Sequence, residues 1–203
     1  MKITDRDLVI LREVGRWQIT LGRHIKELAG FSGSRACDNR LKILVENNYL
    51  TREKTLYGTP YIYSLTHKSR QLLTLNKRAD KVKLDQLRHD IIVLDIVICL
   101  LKTKGLTTYD FTSEKEMHRN DGFIARSHKP DFIYQENDKK IAVEIELSIK
   151  SLDRLEDNVK NNYLKYDSQL WLIEQSSKKI KANLIDLQTK YPNISLRYIK
   201  DIL

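Results

Sequence analysis

Two cysteines in 203 residues, Cys37 and Cys99, are too few and too isolated for a disulfide framework or a thiolate metal site. Both fall in apolar helical context, so a reduced, cytoplasmic protein is expected. Long apolar runs are missing as well. The longest, Ile91 to Leu101, is broken by Asp95, whereas a spanning helix needs about 20 apolar residues. No secretory signal precedes it, and no membrane association is expected. With 41% hydrophobic and 31% charged residues the chain lacks the bias that marks disorder, and its length allows one or two domains.

What is present is an uneven charge. Residues 1–83 hold 17 Lys and Arg against 8 Asp and Glu, while residues 84–203 hold 19 against 19, so the net +9 lies wholly in the first part. A basic module joined to a neutral one suggests that one half binds a polyanion and the other acts on it.

The pattern predicts a helix opened by Thr4 and Asp7, with Leu8, Leu11, Val14 and Trp17 at helical spacing. A second starts at Thr20 and ends at Gly30. Ser32 or Ser34 caps a third, in which Leu41, Leu44 and Val45 face inward and Arg35, Asp38, Asn39, Arg40 and Lys42 stay exposed. Tyr49–Lys54 and Tyr61–Leu65 alternate as strands around Gly58-Thr59-Pro60, and Thr66 caps a fourth helix. Over this stretch, 1–75, the chain resembles winged helix-turn-helix domains, with Arg35, Asn39, Arg40, Lys42, Arg52 and Lys54 as the DNA-contacting candidates. Such domains also mediate protein contacts. The polar, aperiodic residues 76–83 read as a linker, or else as a helical extension.

The second module, 84–203, is expected to run as a long helix from Leu84 to about Lys104, a strand at Thr108–Phe111, a hairpin over 131–147, a helix at Ser151–Tyr166, a strand at Leu170–Glu174, a helix at Lys178–Lys190 and a last strand at Ile194–Ile199. The fold class is therefore mixed α/β. The helix after the hairpin carries a stripe of Leu152, Leu155, Val159, Tyr163 and Tyr166. The hairpin is the most informative segment. Its turn at Asn137-Asp138 pairs Glu136 with Lys139, and counting outward sets Asp131 opposite Glu144, with Glu146 on the same face. Opposed carboxylates repel unless a cation sits between them, and hard oxygen ligands suit Mg²⁺ or Mn²⁺.

This αβββαβ order, with Pro130-Asp131 opening one strand and Glu144-Ile145-Glu146 in the next, resembles the restriction-endonuclease-like PD-(D/E)xK nucleases. The lysine expected two residues after Glu144 is replaced by Glu146, leaving Lys150 nearest and Lys160 second. More narrowly, Val143-Glu144-Ile145-Glu146-Leu147-Ser148-Ile149-Lys150 after a winged helix is similar to the plasmid replication-relaxation and MobC-type relaxase group. That resemblance implies metal-binding acids at Asp131, Glu144, Glu146 and Glu114, an electrophilic lysine at Lys150, and nicking at a plasmid transfer origin. The implied partners are double-stranded origin DNA and other mobilisation proteins. Ordinary relaxases hold metal with a His-x-His pair, and no two of the five histidines are so spaced.

His89 and Asp95 are candidates for a supporting pair behind the acids, while His118 and His128 are expected to meet solvent or phosphate. Water is the favoured nucleophile over Tyr134, Tyr163 or Tyr166. A non-cleaving DNA-binding accessory or regulator, with an inactive nuclease fold, and a restriction-type double-strand endonuclease are the other readings. Oligomeric state is left open.

Overall fold

A computed structural model describes residues 1–54, 60–75, 83–122, 128–148 and 151–203. Gly58 and Thr59 at the predicted hairpin tip, nearly all of the predicted linker, and Lys150 lie outside the described residues. The chain divides into two compact units, Met1–Ile98 and Cys99–Leu203. The division falls within a helix rather than at residues 76–83.

In the first unit α1 (Asp5–Arg16), α2 (Gly22–Leu28) and α3 (Ser34–Glu46) precede an antiparallel pair, β1 (Leu50–Glu53) and β2 (Ile62–Leu65), and then α4 (His67–Leu72). Thr4 caps α1 reciprocally: its N–H donates to Asp7 Oδ2 at 2.7 Å, and its hydroxyl accepts from the Asp7 N–H. The second and third helices open one residue away from the expected caps, at Leu21 and Gly33. Ile10, Leu11, Val14, Ile25, Leu41, Leu44, Leu50 and Leu65 form one core, because helical spacing in α1–α3 and the inward face of the hairpin point them at each other. An isolated bridge between Leu21 and Ile62 ties the start of α2 to the hairpin.

Helix α5 (Leu87–Lys104) begins in the first unit, where Asp95 accepts from both Arg23 and His24. His24 is fully buried, and its Nδ1 accepts from the Leu21 N–H, so its Nε2 carries the proton given to Asp95 at 3.0 Å. Burial pushes the His24 imidazole down despite that partner; Asp95 is held low because the His24 and Arg23 hydrogen bonds outweigh its own burial. Of His89 and Asp95, expected as a supporting pair behind the acids, Asp95 is engaged by Arg23 and His24, and His89 Nδ1 lies 3.2 Å from Asp90.

The second unit is a five-stranded sheet, ordered β3 (Phe111–Ser113), β4 (Phe132–Glu136), β5 (Lys139–Glu146), β6 (Ser168–Ile173) and β7 (Ile194–Tyr198). The first three strands are antiparallel and the last three parallel. The turn residues Asn137 and Asp138 both have positive φ, +49° and +61°, as a two-residue type I′ hairpin requires. Pairing runs from Glu136 with Lys139 to Phe132 with Val143, as the turn predicts. Residues 108–110, expected as strand, form a 3-10 turn before β3. An unpredicted helix, α6 (Glu114–Asn120), follows β3; Ser113 caps it with Glu116 in return. Helices α7 (Leu152–Tyr163) and α8 (Lys178–Lys190) cover one sheet face, where Leu155, Val159, Ile180 and Leu184 pack on Trp171 and Ile173. The buried stripe of α7 is Leu155, Asn158, Val159 and Asn162, whereas Leu152 and Tyr163 are exposed. No described helix is long and apolar enough to cross a membrane.

Arg40, a DNA-contact candidate by sequence, is turned toward Asp7. Its Nε donates to Asp7 Oδ1 at 2.6 Å and its Nη2 to Oδ2, joining α3 to the capped start of α1. Asp7 is fully buried. Asp7→Ala removes a helix cap and leaves a partly buried guanidinium unmatched, so a loss of about 2–4 kcal/mol is expected in urea unfolding. A loss under about 0.5 kcal/mol, the range of ordinary surface changes, would show that the pair is not structural.

Candidate functional site

Among the described strands of the sheet, β5 alone has an antiparallel neighbour on one side and a parallel neighbour on the other. Such a central strand is buried on both faces, and residues 141–146 are all buried. Glu144 and Glu146 share the face of their partners Trp171 and Ile173, beneath α7 and α8. They are 4% and 3% exposed, an environment in which an ionised carboxylate needs compensation.

For Glu144 the compensation is visible. Its Oε1 lies 2.5 Å from His128 Nε2 and accepts from Asn162 Nδ2 at 2.8 Å. Asn162 comes from the buried stripe of α7 and His128 from the segment leading into β4. Asp131 continues the β4 register beyond Phe132, and its Oδ2 accepts from the Ile145 N–H at 2.7 Å, which brings its charge beside Glu144. The Glu114 N–H donates to the Asp131 carbonyl at 3.1 Å, and the Glu114 carboxylate lies 3.5 Å from His118.

Burial first, and then the neighbouring Asp131, push the Glu144 carboxyl up against the pull of His128 and Asn162. The same two causes, burial and Asp131, raise Glu114. Asp131 is therefore near enough to repel both Glu114 and Glu144, with Glu146 next along the face of Glu144. Lys150 lies outside the described residues. His128 and Asn162 were not assigned to the site from sequence. The signal for Asn162 was its helical spacing from Leu155 and Val159; His128, three residues before Asp131, gave none.

The tyrosines divide. Tyr134 is buried on the opposite sheet face, paired with Ile141, and Tyr163 packs on Tyr191 at 5.4 Å between ring centroids. Burial, with Glu144 and Asp121 nearby, pushes the Tyr166 phenol up, away from the ionised form that a nucleophile needs.

The donors are hard oxygens suited to Mg²⁺ or Mn²⁺. Their arrangement is another matter. Among the described residues no group of three or more His, Cys, Asp and Glu side chains is disposed to hold a metal ion. Glu144 Oε1 already meets His128 and Asn162, and Asp131 Oδ2 meets a backbone N–H. The site as it stands is a buried carboxylate matched by an imidazole and an amide.

A raised carboxyl binds its proton more tightly in the folded chain than in the unfolded one. The resulting penalty is absent below the unfolded carboxylate range and complete above the raised value. Glu144→Gln should therefore raise the thermal unfolding midpoint at about pH 8 and change it little at about pH 4. Equal shifts at the two pH values would count against a destabilising charge.

Compared with curated proteins and with solved structures, the chain matches none. A family model does match, described as replication-relaxation and covering residues 11–173, which takes in α2–α7, β1–β6 and every acid of the site. The chain belongs to the replication-relaxation family.

Proposed function

We propose that this protein binds duplex DNA at a plasmid origin through its first unit and nicks that DNA with the acids of its second. The family supports a role in plasmid replication and mobilisation. Three helices followed by a β-hairpin support reading the first unit as a winged helix-turn-helix, with α3 as the helix that enters the major groove. Arg35, Asn39 and Lys42 are exposed on α3; Lys42 has only a 3.8 Å ion pair with Glu46. On the hairpin, Arg52 and Lys54 lie over the Tyr61 ring at 4.7 and 5.1 Å, which holds two cations together where a backbone phosphate would run. Arg40, engaged by Asp7, orders α3 rather than reading bases.

The observation that carries the nuclease reading is the gathering of Glu114, Asp131 and Glu144 beside the hairpin end, in a restriction-endonuclease-like order of strands. In that reading Glu144 is the central carboxylate, Asn162 and His128 fix its orientation, and Asp131 is fixed by the Ile145 amide. Water is the attacking group, since Tyr134, Tyr163 and Tyr166 are each engaged elsewhere or held protonated. A divalent cation, Mg²⁺ or Mn²⁺, would supply charge neutralisation at the phosphate. The described arrangement does not present three ligands to it, so no step is assigned to the ion. The same observation favours a second reading, a non-cleaving DNA-binding accessory or regulator in which the His128 and Asn162 contacts keep Glu144 occupied. The cytoplasm is the compartment for either, with origin DNA and other mobilisation proteins as partners.

Supercoiled cognate plasmid with Mg²⁺ or Mn²⁺ separates the two. The wild-type protein should convert it to open circles, and Asp131→Ala and Glu144→Ala should each lower the rate on the order of a hundred-fold without loss of DNA affinity. Nicking by Asp131→Ala at the wild-type rate would remove the acids from the reaction. Tight binding with no nicking by the wild-type protein assigns it to the regulator class.

Arg35→Ala and Lys42→Ala should weaken duplex binding, and each lost phosphate contact should lower the salt-dependence slope by about one. Unchanged affinity and slope in the double variant would move the DNA surface away from α3.

A further inference from the structure

A cavity of about 420 Å³ opens beside the acid site, within the size range of small-ligand pockets. Its lining includes Tyr109, Met117, Lys129, Gln135, Lys140 and Tyr166. Ile133, also in the lining, and Gln135 share the sheet face of Ala142 and Lys140, to which they are paired. Asp131 and Glu144 continue that face, so the cavity floor lies only two residues, about 7 Å, along β4 from Asp131.

The walls offer aromatic rings, an amide and an ammonium. Tyr109 is 87% exposed, a large ring left in solvent at the cavity edge. Tyr166 is also in the lining, its hydroxyl donating to Met117 Sδ at 3.5 Å. The exposed Gln135 amide offers a donor and an acceptor to a base edge. Two acids also line the cavity, yet both are engaged: Asp110 accepts from the Thr107 N–H at 2.7 Å, and Asp121 pairs with Lys129. Lys140 is exposed and forms no ion pair among the described residues, which leaves an ammonium for a phosphate.

We propose that this cavity holds one nucleotide of a single DNA strand, the base against Tyr109 and Gln135 and the phosphate near Lys140, next to the bond placed at Asp131 and Glu144. The inference rests on the nuclease reading for its purpose, and on the cavity alone for its ligand. A base flipped or melted out of the duplex would then index the strand at the acids, while the first unit holds the flanking duplex.

The test uses the full-length protein and an oligodeoxythymidylate of about ten nucleotides, within the range of single-strand site sizes, carrying 5-iodouracil. Ultraviolet crosslinking followed by peptide mapping should place the adduct on Tyr109 or Tyr166. Tyr109→Ala and Gln135→Ala, both at exposed positions, should each weaken binding of the single strand, the first by about five-fold or more, since base–aromatic stacking contributes at least that, and the second through loss of an amide hydrogen bond to the base edge. Duplex affinity should be unchanged in both variants.

Crosslinks confined to the first unit, or single-strand affinity indifferent to both substitutions, overturn the proposal. Suppression of adduct formation by thymidine 5′-monophosphate, added before irradiation at the oligonucleotide's own effective concentration, overturns it in favour of a free-nucleotide site. If the crosslink forms at Tyr109 while the plasmid is never nicked, the nuclease reading fails and the cavity assignment stands. Nicking without the crosslink gives the converse.

Discussion

A carboxylate in the middle of a buried strand is the constraint on which the second unit is organised. Glu144 lies between an antiparallel and a parallel neighbour, where water cannot solvate it, so the fold must bring polar partners to it. Asn162 is positioned by α7, whose apolar residues Leu155 and Val159 are pinned on Trp171. His128 arrives from the segment that enters β4, and the same entry sets Asp131 on the Ile145 amide. Sheet register, helix packing and loop path thus meet at one carboxyl group. That side chain costs the sheet stability, since a well-packed apolar residue of similar volume in its place would be neutral or stabilising.

The first unit handles charge differently. Asp7 with Arg40, and Asp95 with His24, are partly or wholly buried pairs that join helices to one another, and Asp95 also accepts from the exposed Arg23. The first turns a cation of α3 toward α1, and the second ties α5 to α2. What remains outward on α3 is Arg35, Asn39 and Lys42, a smaller set than the composition suggests but one held on a rigid helix. The cavity beside the acids adds an aromatic and amide surface that is neither strongly basic nor apolar. In the proposed reading, duplex electrostatics in one unit and base contacts in the other are complementary means of holding one substrate.

Much of this was legible in the chain because the controlling interactions are local. The turn at Asn137-Asp138 dictates the hairpin register, since only two consecutive positive-φ residues make that turn, and Thr4, Thr66 and Ser151 mark helix starts through hydrogen bonds spanning three residues. Helix α6 was equally local in its Ser113–Glu116 capping box, yet its seven residues carry too little apolar periodicity to stand out among charges. The mixed α/β class and the acids Asp131, Glu144 and Glu146 also follow from residue type and spacing.

Tertiary structure alone decided which charges meet. Asp95 has Asp90 and His89 nearby in sequence, but its partners lie more than seventy residues away, and Arg40 finds Asp7 thirty-three residues back. His128 and Asn162 reach Glu144 from opposite sides of it in the chain. Sequence determined where carboxylates would sit on the hairpin, because backbone geometry repeats every two residues. It could not determine what would neutralise them, because a long polar side chain is committed only when packing elsewhere has fixed the distance it must span.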